Sequence, residues 1–275
     1  MSTGIGAGIS PVFNLKPGSG AAPVCNDLYS VNFANVNGGS QSQWLVGSHG
    51  AAVSFGNAGI GDFSIAFWIY PTNLSTGANM RIMDFGLGSA TPPNGRIQLH
   101  MNAGATQMIG TAKVTDTATD QSSAFNPPLN TWTHVVWTAS RSATHLTGKW
   151  YVNGSFIGNT DVDSFPQATN ALITPTTGNF FIGRSGATGM FEGSLNDFTI
   201  WNKELSAGEI TEIMDVSTTD NCMNNLSFYS DLSHWWAMGD PNGQASYPTI
   251  IDQVGSLDME MKGMSVSNIT TNVPT

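Results

Sequence analysis

Residues 179–214, NFFIGRSGATGMFEGSLNDFTIWNKELSAGEITEIM, decide the fold. Phe180 and Ile182 alternate up to Gly183, the spacing of a strand with one buried face. Gly186 and Gly189 punctuate a turn, and Phe198 and Ile200 alternate again before Asn202. After Leu205 the run Ser206-Ala207-Gly208-Glu209 has capping-box spacing. The serine oxygen can accept from the amide three residues on, and the glutamate can reach back. Ile210, Ile213 and Met214 then recur at helical spacing. The stretch reads as strand, turn, strand and one short helix.

Upstream, the same period-two signal repeats. Residues 29–33, 44–46, 52–55, 63–70, 80–85, 96–101, 108–114, 132–139, 149–152 and 155–158 all read as strands. In 63–70, FSIAFWIY, one face carries Phe63, Ile65, Phe67 and Ile69, and the other Trp68 and Tyr70; Pro71 stops the run. That mixture suits the inner layer of a sandwich. Asn153-Gly154 suits a type I′ hairpin, because both positions tolerate positive φ. Residues 116–128 and 159–178 are polar and irregular and read as loops. Many short strands, one helix and no strand–helix alternation imply an all-β, two-sheet antiparallel sandwich.

Composition sets the surface chemistry. Of 275 residues only 10% are charged, against roughly 25% in an average soluble domain. Gly, Ser, Thr and Asn supply the polarity instead. A net charge of -10 with nine Lys and Arg argues against a nucleic-acid surface, which needs clustered cations. No run of about 18 apolar residues could cross a membrane. Residues 1–20 have no basic start and no apolar core, so they do not read as a secretory signal, and the chain is expected to be made in a cytosol. In that compartment Cys25 and Cys222 are expected as two free thiols.

Five pieces in order carry a resemblance: FSIAFWIYP, NTWTHVVWT, GKWYVNGSFIG, NFFIGRSG and GSLNDFTIWNKELSAGEI. They resemble the laminin-G-like, concanavalin A-like jelly-roll family, whose last strand and trailing helix the opening stretch matches. The resemblance implies a jelly roll over residues 26–216. Residues 1–25 hold isolated apolars, among them Phe13, and read either as a disordered tail or as an extended arm that orders on a partner. Residues 217–275 contain HWWAMGD and IDQVG, which resemble a segment that usually opens such a domain. Placed last, they would complete the same sandwich in permuted order or add strands to a neighbouring subunit. A jelly roll with such a tail resembles virion structural proteins of tailed bacteriophages. The expectation is therefore a non-enzymatic capsid decoration or tail-fibre protein, assembled in the host cytoplasm and located in the virion. Its partners would be capsid or tail proteins and sister subunits. The alternative is a carbohydrate-binding lectin, calcium-dependent or not, that meets a cell-surface glycan during host attachment.

The chemistry-bearing residues support no catalytic set. A glycosidase needs two carboxyl groups roughly 5–9.5 Å apart, and the E-x-D-x-x-E strand of laminarinase-type relatives is missing. The serines form no G-x-S-x-G elbow. Calcium is the ion the resemblance implies, held at a loop edge by carboxylates and carbonyls. The candidates are Asp62, Asp161, Asp163 and Asp197, with Asn196 standing where many relatives have an acid. For a protein interface or a sugar stack the candidates are Phe13, Trp44, Trp235 and Trp236. Adjacent strand residues face opposite ways, so one of Trp235 and Trp236 is expected to be buried and the other to meet a partner. Trp201 is less constrained, whereas Trp68, Trp132, Trp137 and Trp150 are read as core or as cover between sheets.

Overall fold

The alternating runs form two antiparallel sheets in a computed structural model, which describes residues 28–34, 43–49, 61–74, 79–87, 96–104, 106–114, 117–123, 125–142, 145–164, 178–184, 189–218, 223–238 and 245–275. The strands are β1 (Ser30–Phe33), β2 (Trp44–His49), β3 (Phe63–Pro71), β4 (Met80–Leu87), β5 (Arg96–Met101) and β6 (Met108–Val114). Then come β7 (Thr117–Ser122), β8 (Thr133–Arg141), β9 (His145–Val152), β10 (Ser155–Ser164), β11 (Gly178–Ile182) and β12 (Gly193–Trp201). Helix α1 (Ala207–Thr218) follows, and then β13 (Leu232–Trp236), β14 (Ala245–Ser246), β15 (Thr249–Ile250), β16 (Met259–Lys262) and β17 (Ile269–Thr270). Sheet A has the order β10-β9-β8-β3-β12-β1-β17, with β13 also paired to β12; sheet B has the order β14-β15-β16-β2-β11-β4-β5-β6-β7.

Between the sheets lies the main core. Phe63, Ile65, Phe67 and Ile69 of β3 face Met83 and Phe85 of β4, Leu99 of β5 and Phe180 and Ile182 of β11 within one buried cluster. Trp137 and Trp150 stack in it at 5.9 Å. Gly110 of β6 sits directly against this pair: a Cβ there would fall 2.6 Å from the Trp137 ring. At the β9–β10 hairpin Asn153 and Gly154 have φ of 46° and 76°, the positive values a type I′ turn requires.

A second cluster covers the outer face of sheet A. Ala66, Val136, Tyr151, Trp201, Leu232 and Trp235 on the sheet are roofed by Ile210 and Ile213 of α1 and by Leu226 and Phe228. The helix starts where the spacing predicts. Glu209 N–H donates to Ser206 Oγ at 3.3 Å, and Glu209 Oε2 accepts the Ser206 N–H at 2.9 Å. This reciprocal cap satisfies two backbone donors that a helix start otherwise leaves open.

The segment after α1 is built into both sheets. The N-terminal half of β12 pairs with β1, and its C-terminal half pairs with β13; β16 pairs with β2, and β17 with β1. A buried carboxylate ties these pieces together. Asp252 Oδ1 accepts backbone N–H groups from Trp235, Val254 and Gly255. Its Oδ2 accepts from Leu257 N–H and lies 2.6 Å from His234 Nδ1. Burial would push this carboxyl up, but the His234 hydrogen bond and charge and the Leu257 and Gly255 N–H groups outweigh it and hold the pKa below the usual range.

Two stretches read as loops contain strands: β7 within 116–128, and the end of β10 within 159–178. Both are the last strands of their sheets. An edge strand needs no apolar stripe, and polar residues protect it from pairing with other chains. That is why TATDQS and NTDVDS lack the alternation that marked the others. The strand expected at 52–55, the arm at 1–25 and both cysteines lie outside the described residues.

Gly110→Ala should lower the unfolding free energy by about 1–3 kcal/mol through overpacking against Trp137, measured by urea denaturation. An unchanged midpoint would mean that the indole can give way.

Candidate functional site

Because β3 sends its odd-numbered apolar residues into the core, Ser64, Ala66, Trp68 and Tyr70 take the outer face of sheet A. The α1 roof packs on Ala66, leaving Trp68 and Tyr70 beyond it. Two ring pairs form there. Trp68 lies opposite His134 in the β3–β8 ladder, with ring centroids 5.0 Å apart. Tyr70 and Trp132 meet at 5.4 Å, inclined at 49°. Trp68 and His134 are buried, while Tyr70 and Trp132 are half-buried.

Polar groups border the exposed pair. The ladder runs from Tyr70 to Ser194 of β12 and on to Asn32 of β1, and Asn32 Nδ2 donates to Ser194 Oγ at 3.0 Å. Asn272 reaches across from the far side. Its carbonyl accepts from Ser30 Oγ on β1 at 2.6 Å, and its Oδ1 accepts from Trp132 Nε1 at 3.2 Å. Since β12 and β3 lie between those two partners, the exposed Asn272 lies over the outer face of the sheet. Segment 269–275 thereby forms one wall of the aromatic patch.

Beneath the adjoining row, Trp68 Nε1 and His134 Nδ1 are buried without a hydrogen-bond partner. Each such group costs on the order of 1–3 kcal/mol. Burial pushes the His134 pKa down to about 3, so its ring is neutral at ordinary pH. The patch thus combines a rigid, uncharged aromatic floor with an amide and hydroxyl rim.

The residues singled out in the sequence fall elsewhere. Asp197 is buried in a β12 bulge at φ 42°, and its Oδ1 accepts the Trp235 indole N–H at 2.9 Å. It is a structural acceptor rather than a solvated turn acid. Asp62 accepts the Arg141 N–H at 2.8 Å. Asp161 and Asp163 are on β10, opposite Gly148 and Leu146 of β9, and not in a loop. The buried Asn196 accepts the Asp197 N–H at its own side chain. Among the described residues there is no group of three His, Cys, Asp or Glu that could hold a metal ion.

Among the tryptophans, Trp235 and Trp236 are both buried, one under the α1 roof and one between the sheets. Neither meets a partner, because the outer face that one of them takes is itself covered. Trp201 is also fully buried in the roofed cluster. Trp44 is half-buried on β2, and the Arg184 guanidinium carbon lies 4.1 Å from its ring centroid. Phe13 lies outside the described residues. Trp132, read as core or as cover between the sheets, is only half-buried, and it precedes β8 rather than sitting inside it. The signal available was its adjacency to the 126–131 turn, NPPLNT.

The sequence pattern of a laminin-G type family, described as the concanavalin A-like lectin/glucanases superfamily, matches residues 46–211. This chain belongs to that superfamily. Among solved structures, this concanavalin A-like chain is similar to a Bacteroides ovatus protein described as carbohydrate binding. The identity is 14% and the TM-score 0.57, with 88% of this chain and 59% of that chain covered. The chain thus spans about three fifths of that protein's length. It is also similar to a heptameric SAP-like pentraxin from Limulus polyphemus (14% identity, TM-score 0.49, 70% and 84% covered). A third relative is the Ruminococcus gnavus IT-sialidase CBM40 bound to sialyllactose (15%, 0.43, 64% and 100%). At these identities the likeness is one of fold. No curated protein sequence matches the chain.

The neutral His134 gives a pH signature. Its pKa falls from 6.5 to about 3 on folding, so between those values the unfolded chain binds a proton that the folded one does not. Stability is therefore lost as pH falls through this window, by up to ~1.4 kcal/mol per unit. Urea melts at pH of about 6.5 and about 5, above the carboxylate range, should show a smaller loss for His134→Phe than for the wild type. Equal losses would refute the assignment.

Proposed function

We propose that the chain is a non-enzymatic carbohydrate-binding jelly roll that stacks a sugar ring on Tyr70 and Trp132. The observation that carries this is the half-buried Tyr70–Trp132 ring pair on the outer face of sheet A, bordered by Asn32 and Asn272. The C–H face of a sugar packs on aromatic rings, and its hydroxyls match amides that donate and accept. Tyr70 and Trp132 also require little ordering, since each turns about two side-chain torsions. Superfamily membership and the fold shared with a protein described as carbohydrate binding support the reading.

A non-catalytic role agrees with how the carboxylates are engaged. Asp84 accepts from Gln98, Glu192 from Asn73, Glu204 from Lys149 and Glu209 from Lys203. None of these bonds joins two carboxyl groups into an acid–base pair. The platform contains no carboxylate ligand, so binding should survive a calcium chelator. Location in a phage virion, with capsid or tail partners, rests on the sequence resemblance alone. Neither the superfamily match nor the solved relatives speak to it. Host attachment through a glycan is the activity that would join the two settings.

Electrophoresis through gels containing soluble polysaccharides tests the reading. Wild-type protein should be retarded, and Trp132→Ala should weaken that retardation about tenfold or more while keeping the native circular dichroism spectrum. Undiminished retardation of a folded Trp132→Ala variant would remove the platform from the mechanism.

A further inference from the structure

Cationic side chains are scarce in this chain and unevenly placed. Of nine Lys and Arg, all but Lys16 fall within the described residues. Arg81, Arg96, Lys113 and Lys262 are on strands of sheet B, and Arg184 directly follows β11 of the same sheet. The aromatic platform is on the outer face of sheet A, on the opposite side of the sandwich.

The three cations of sheet A are at its far end. Arg141 closes β8, nine positions from Trp132, or about 30 Å along the strand. Lys149 pairs in register with Thr138, about 20 Å from Trp132 by the same rise, and is bonded to Glu204 at 2.8 Å. Lys203 accepts the Ser64 hydroxyl at its carbonyl, again about 20 Å from Tyr70. Its ammonium is bonded to Glu209 at 2.6 Å.

The platform itself is built from uncharged groups. Asn32, Asn272 and the exposed Thr131 border the rings, and Ser194 is buried beside Asn32. None of these groups can neutralise a carboxylate or a sulfate. Among the described residues a charged side chain at this end of β3 is an acid: Glu192, whose carbonyl accepts the Thr72 N–H and whose carboxylate accepts from Asn73. An anionic ligand would thus be desolvated without a counter-charge, beside a chain of net charge -10. A hydroxyl-rich neutral ligand meets no such penalty.

We infer that the Tyr70–Trp132 platform selects uncharged sugar residues and rejects uronic acids, sialic acids and sulfated sugars. The inference rests on the carbohydrate-binding reading and specifies its ligand class. The physical basis is selection by the absence of a partner for charge, with stacking supplying affinity that does not depend on charge.

The test uses the full chain and gels containing hydroxyethyl cellulose, mannan, galactan, xylan or dextran, with polygalacturonate and polysialic acid alongside. A polymer that retards the protein is then compared with its own carboxymethyl derivative. The expected result is retardation by a neutral polymer that is unchanged from about 50 to about 500 mM NaCl, with the derivative about tenfold weaker or worse. Thr131→Lys, which adds a cation beside Trp132, should improve binding of the derivative about threefold relative to the neutral polymer. Tighter binding to the derivative or to an acidic polymer, or binding that collapses with salt, would overturn the inference while leaving carbohydrate binding intact. No response to Thr131→Lys would also overturn it, since charge would not be setting the preference. Retardation by none of the polymers would instead sink the carbohydrate-binding reading, and the inference with it.

Discussion

Strand β3 is buried on both faces, and that demand organises the molecule. Its inner face is covered by sheet B, as in any two-layer sandwich. Its outer face carries Ala66, Trp68 and Tyr70, beside Val136 of β8 and Trp201 of β12, which is too apolar a surface to leave in water. Helix α1 and the segment after it cover one half of that face. The other half keeps two ring pairs, of which one is buried and one half-buried. The site is the part of β3 that the roof does not reach.

The roof depends in turn on one buried acid. Asp252 collects four backbone N–H groups and the His234 ring, joining β13 to the turn that leads into β16. Because its carboxyl is held below the usual range, its contribution is complete above the unfolded carboxylate pKa and is lost as pH falls through the folded one. Gly255 allows this geometry, since a Cβ there would fall 2.2 Å from Asp252 Oδ2. Beyond this clamp the chain runs on to β17 and Asn272, so the element that closes the sandwich also supplies a wall of the aromatic patch.

Legibility followed the strength of the local signal. The strands with one apolar stripe, the Asn153-Gly154 turn and the Ser206–Glu209 cap could be read directly, because each depends on residues within a few positions of one another. Edge strand β7 and the end of β10 could not, since an edge strand needs no apolar stripe. Of the candidate site, Tyr70 was placed only on the second face of its strand, and Trp132 was assigned to the core or to cover between the sheets. Asn272 carried no local signal at all, as its partner is 140 positions away.

By itself, the sequence determined the all-β class, the two-layer architecture, the helix start and the scarcity of cations. These are set by period, short-range hydrogen bonding and composition. Tertiary structure alone decided which tryptophans are exposed and which acids are free. The alternation at Trp235 and Trp236 says that they point in opposite directions, but a roof over the outer face buries both. Asp197 reads as a candidate calcium ligand, and the bulge in β12 buries it against the Trp235 indole. Exposure depends on what lies above a residue, and here that cover comes from segments far away in the chain.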